Sequence, residues 1–149
     1  MMVCSLAPAP RTKIFTRLPY PRDVASVLSV APRRIPDDAG REAVQRWRDG
    51  NPQPDDEAMA VRYTLQLLRQ KAPGSSVEVR VPPWGAVQAI EGPSHTRGTP
   101  PAVVEMEPDV WLSVATGTRQ FEQALAEGVI HASGERSNLT GWLPLGELA

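Results

Sequence analysis

The chain has 149 residues, of which 41% are hydrophobic and 22% charged, and a formal net charge of −1. That length favours one domain with a real hydrophobic core, and the near-neutral charge gives no overall pull toward nucleic acid or acidic lipid. No apolar run approaches the roughly 18 residues of a membrane span, so no stable membrane insertion is expected. The single cysteine, Cys4, excludes an internal disulfide and a cysteine-based metal site, and a reducing cytoplasm is the plainest compartment.

Charge is divided along the chain. Residues 1–35 carry Arg11, Lys13, Arg17, Arg22, Arg33 and Arg34 against Asp23 alone, a local charge of +5 that leaves −6 for the remainder. Pro8, Pro10, Pro19, Pro21 and Pro32 punctuate the same stretch, each removing a backbone donor and restricting the residue before it. Residues 1–35 are therefore expected to be a flexible basic arm, with the folded domain over 36–149. Pro8 interrupts the apolar start too soon for a secretory signal, which needs about 7–15 unbroken apolar residues.

Order should begin near Pro36. Asp37 or Asp38 can cap a helix that runs to about Asp49, with Ala43, Val44 and Trp47 on one face and Gly50 at its stop. After the loop Asn51–Pro54, the acidic run Asp55-Asp56-Glu57 suits the first turn of a second helix, where the macrodipole favours negative charge. Ala58, Val61, Leu65, Leu68 and Ala72 then recur at spacings of three and four, which makes one apolar stripe. Tyr63 and Leu67 fall on flanking faces, Gln70 toward water, and Pro73-Gly74 ends the helix.

Val77, Val79 and Val81 alternate with Glu78 and Arg80 as a strand does. Pro82–Gly85 bends the chain into a second strand, Ala86 to Glu91, with Val87 and Ala89 on one face and Gln88 on the other. A third strand is expected over Ala102–Glu107. Pro108 suits the first turn of a helix to Thr116, and Thr118 can cap another that ends before Gly128. Val129 to Ser133 reads as a last strand, and Glu135 to Leu143 as a terminal helix bearing Leu139, Trp142 and Leu143. The order ααβββααβα is an α+β fold: a mainly antiparallel sheet with helices packed on it.

The loop GPSHTRGTPP sets His95, Thr96 and Arg97 inside a rigid Gly/Pro frame. It fits a reactive centre, a ligand clamp or a stiff connection. His95 has the chemistry of a general acid or base, with Glu91 or Glu105 to orient it. Yet no Gly-x-Ser-x-Gly elbow is present, and Ser94 is too close in sequence to meet His95 as a triad nucleophile does. His131, the other histidine, falls in a separate strand with no metal-ligand spacing, and no glycine-rich phosphate fingerprint occurs. Hydrogen bonding within the loop accounts for His95 and Thr96 as well. The domain is accordingly read as non-catalytic, with no metal and no cofactor. Nucleic acid is not an expected partner, because the folded part is acidic and its strands carry valine and alanine where aromatics would be wanted.

Trp47, Trp84, Trp111 and Trp142 read first as packing anchors. An inner sheet face of small residues (Val77, Val79, Val87, Ala89, Val103) leaves volume under the helices, which either closes into a core or persists as an apolar pocket.

VEVRVPPWGAVQAIEGPSHTRGTPP, followed by PDVWLSVATG and EQALAEGVIHASGERSNLTGWLPL, resembles the bacterial sterol carrier family, stand-alone relatives of the type-2 sterol carrier lipid-binding domain. The likeness covers roughly residues 32–145. It implies a mixed, largely antiparallel sheet of about five strands, helices over one face, and an apolar tunnel between the layers. Ligands of the wider superfamily are sterols, fatty acids and acyl thioesters, so the implied partner is an apolar small molecule or lipid. Candidate lining residues are Trp84, Gln88, His95, Thr96, Arg97, Val103 and Trp111. Arg97 is a candidate clamp for an anionic head group, since its fork suits carboxylate or phosphate, with pairing to Glu91 or Glu105 as the alternative. The competing reading is an interaction module in which the loop and Trp84 form a partner or homodimer surface, or a regulatory subunit of an enzyme.

Overall fold

Alternating valines and charges over residues 77–81 require a sheet with one dry and one wet face. The computed structural model, which describes residues 33–92, 102–146 and 148, has that sheet. In chain order the elements are helices α1 (Asp37–Arg48) and α2 (Asp56–Lys71), strands β1 (Val77–Val81), β2 (Gly85–Ala89) and β3 (Ala102–Met106), helices α3 (Pro108–Thr116) and α4 (Phe121–Ala126), and strand β4 (Ile130–Ser133). The strands lie in the order β2-β1-β3-β4. β1 is antiparallel to β2 and parallel to β3, and β3 is antiparallel to β4. The fold is thus α+β with a mixed sheet of four strands among the described residues, one fewer than the resemblance implied.

Residues 34–149 form one unit. The expected basic arm lies, apart from its last residues, outside the described residues, and so does the whole loop from Pro93 to Pro101 with His95, Thr96 and Arg97.

The dry face of the sheet carries Val77, Val79 and Val81 of β1, Ala89 of β2, Ala102, Val104 and Met106 of β3, and Ile130 of β4, all buried. The other face carries Gln88, Glu78, Arg80, Glu105 and His131, exposed or half-buried. Val103 belongs to that outer face, opposite Glu78 and Ser133, and not to the inner face where its apolar character first put it. The parallel register decides this: Val104 faces Val79, so its neighbour must turn outward.

α2 is the central helix. Ala60, Val61, Tyr63, Thr64, Leu65, Leu67 and Leu68 are all buried, so its apolar surface extends well beyond the stripe legible in the sequence. α1 packs against it through a close approach: a Cβ on Gly40 would stand 2.2 Å from the Tyr63 ring. The helix ends are tied by Arg46, whose guanidinium grips both carboxylate oxygens of Asp56 at 2.7 Å. At the other end, the Gln66 amide bonds both the amide and the carbonyl of Ile35.

Two helical expectations change. α4 begins at Phe121, not Thr118, because the Thr118 hydroxyl donates to the Ser113 carbonyl at the end of α3. The terminal helix over Glu135–Leu143 is not formed. Trp142 and Leu143 make a single turn, both donating to the Leu139 carbonyl. The chain then crosses α3, where the Leu145 amide donates to the Ala115 carbonyl at 2.9 Å and Leu139 and Leu145 are buried. No helix among the described residues is long and apolar enough to cross a membrane.

Candidate functional site

A cleft arises where α2 outruns α1. Ile35, at the entry to α1, meets α2 at Gln66, and the last turn of α2 continues beyond that point. Leu67 and Lys71 are four residues apart and share one side of the helix, with Gln70 adjacent. The returning segment supplies the opposite wall through Leu145 and Gly146. The cleft they enclose has a volume of about 400 Å³, within the roughly 300–1,000 Å³ typical of small-molecule sites.

Its chemistry is mixed in a definite way. Leu67 and Leu145 are almost fully buried and give apolar walls. Gln70 and Lys71 are exposed and give a polar rim. The Lys71 ammonium donates to the carbonyls of Trp142 at 2.8 Å and Pro144 at 3.2 Å, fastening the returning segment to α2. No carboxylate among the described residues pairs with it. One turn before Leu67, the Tyr63 hydroxyl is buried with no hydrogen-bond partner among the described residues.

Of the residues singled out in the sequence, four are described, and the structure does not bring them to one place. Trp84 is half-buried at the β1–β2 turn, where its indole N–H donates to the Glu57 carboxylate and the Arg62 guanidinium lies 5.9 Å over its ring. Trp111 is fully buried among the core residues, its indole N–H donating to the Thr64 hydroxyl at 2.7 Å. Gln88 and Val103 flank Glu78 in one row of the outer sheet face. They therefore stand on the opposite side of the sheet from Trp111.

That outer face is a charged ladder. Arg80 bonds Glu78 at 3.0 Å and lies 3.9 Å from Glu105, which itself faces His131. These partners raise the pKa of Arg80, the Glu78 hydrogen bond foremost. Among the described residues no group of three or more His, Cys, Asp or Glu side chains is placed to hold a metal.

The cleft residues Leu67, Gln70, Lys71, Leu145 and Gly146 were not singled out in the sequence. The i, i+4 relation of Leu67 and Lys71 is visible there, but its partner segment lies some 75 residues later in the chain, just past the helix expected over Glu135–Leu143.

A family model described as "Bacterial SCP ortholog" matches residues 53–145, a span that takes in the whole of α2 and runs to Leu145, and so includes Leu67, Gln70, Lys71 and Leu145 of the cleft. A comparison with curated proteins gave no match.

Proposed function

From the premise that the chain belongs to the bacterial sterol carrier family, we propose that it binds and transfers a hydrophobic small molecule (a sterol, fatty acid or acyl lipid) as a non-catalytic carrier of the cytoplasm. Family membership is the observation that carries this reading, and the cleft beside α2 supports it with a volume and two leucine walls suited to an acyl chain.

The energetics suit a carrier. Each methylene moved from water into apolar surroundings contributes about 0.8 kcal/mol, so a ten-carbon chain gains roughly 8 kcal/mol before ordering costs are subtracted. The net corresponds to micromolar or weaker binding, tight enough to load and loose enough to release.

The test is native mass spectrometry of the full chain purified from a heterologous host. A carrier retains an apolar molecule that is lost on denaturation. A protein that emerges empty and dimeric sinks the carrier reading and supports an interaction module in its place.

A further inference from the structure

Lys71 narrows the ligand class. Its ammonium has three donors. Two are used by the Trp142 and Pro144 carbonyls, and the third has no described acceptor. It is the one charged side chain lining the cleft among the described residues, and the Leu67 and Leu145 walls lie beside it. The Gln70 side chain, next along the helix, adds an amide donor at the same rim. A cation with a donor unclaimed among the described residues, beside apolar walls, is the complement of a molecule with an anionic head and a hydrocarbon tail. A hydroxyl head would gain an ordinary hydrogen bond here, whereas a carboxylate or phosphate gains a charge-assisted one, roughly twice as strong.

Resting on the carrier reading, we propose that this cleft seats the head of a single-chain anionic amphiphile on Lys71, in preference to an uncharged lipid. This gives a head-group role to a lysine on α2, while Arg97, the clamp suggested by the sequence, lies outside the described residues. Because the same ammonium holds residues 142 and 144, the seat and the returning segment are one unit, and the head binds where that segment is fastened.

The experiment is isothermal titration calorimetry of the full chain with decanoate, decyl phosphate and decanol, which share a tail length and differ in head. The expected result is about tenfold tighter binding of both anions than of the alcohol, the gain of one charge-assisted hydrogen bond. In Lys71→Gln that ratio falls toward one, and in Lys71→Arg it is kept. Gln70→Glu leaves the Lys71 tether in place while adding a negative charge at the rim, so it lowers anion affinity and provides the test should Lys71→Gln fold poorly. Equal affinities for the three ligands in the wild type overturn the head-group assignment, as does a ratio unmoved by Lys71→Gln and Gln70→Glu. Either result leaves the carrier reading standing. No binding of any of the three, together with an empty protein in native mass spectrometry, overturns the carrier reading and this inference with it.

Discussion

Ser76 bonds the Ile90 carbonyl twice, through its amide at 3.1 Å and its hydroxyl at 2.8 Å. Ile90 in turn donates its amide to the Ala72 carbonyl at the end of α2. The pair of anchors holds Ile90 at φ +65°, a left-handed conformation unfavourable for a β-branched residue. This is why β2 stops at Ala89 and does not reach Glu91. Gly74 passes directly over the same carbonyl: a Cβ there would lie 2.1 Å from the Ile90 oxygen, at a φ of +149°. Gly74→Ala is expected to lower stability by at least about 2 kcal/mol, since backbone strain and overpacking each contribute about 1–3 kcal/mol. Urea unfolding midpoints measure it, and a change under about 0.5 kcal/mol, the range of a neutral surface substitution, would show that the approach is not rigid.

Gly40 inverts an ordinary rule. Glycine to alanine inside a helix usually stabilises by about 1 kcal/mol. Here the added methyl would meet the Tyr63 ring at 2.2 Å, and the ring is itself fully buried. Gly40→Ala is expected to destabilise the wild type, yet to be neutral or stabilising in a Tyr63→Leu background where the ring is gone. Thermal melts of the four proteins of this cycle decide the point. A destabilisation of equal size in both backgrounds would mean that the ring is not what excludes the methyl.

What could be read in advance divides along a physical line. β1 and α2 were legible because a single periodicity, two or 3.6, is imposed by burial on one side. β3 was legible as a strand but not in its facing, since Val103 and Val104 are both apolar and only pairing with β1 tells them apart. The terminal helix failed for a related reason. Leu139, Trp142 and Leu143 have helical spacing, but the groups that bind this segment, the Ala115 carbonyl and the Lys71 ammonium, belong to other elements. The cleft shares that fate. Its walls are assembled by tertiary contacts that override local propensity, and the stripe of α2 says which side is buried but not where the returning segment stops covering it.

The Asp56 carboxyl makes acid stability specific. Hydrogen bonds from the Arg46 guanidinium hold it at about 2, below the usual 3.8, against the opposing effect of burial and with help from the Gln53 amide. A folded-state pKa that is depressed means the folded chain binds fewer protons, so this stability is fully present above about 4 and is lost as the pH falls toward 2. The wild type is therefore expected to lose more stability between pH 5 and pH 2.5 than Asp56→Asn, which has no proton to take up at this position. Urea midpoints at several pH values across that window measure both slopes, and parallel slopes would mean that Asp56 does not contribute to acid unfolding.

Trp111 and Thr64 join α3 to α2 inside the core through a buried hydrogen bond. The Thr64 hydroxyl accepts the indole N–H at 2.7 Å and is itself oriented by donating back to the Ala60 carbonyl at 2.8 Å. Thr64→Val keeps the shape but leaves a buried donor unpaired, which costs about 1–3 kcal/mol. Trp111→Phe removes that donor along with ring volume, so it is destabilising by a cavity effect of its own. Once the donor is gone, however, Thr64→Val has little left to disrupt. In the Trp111→Phe background its effect should shrink to within about 0.5 kcal/mol, and a double-mutant cycle built on urea unfolding reads the difference directly. A Thr64→Val penalty of the same size in both backgrounds would assign the loss to helix propensity or packing at residue 64, and not to the bond across the helices.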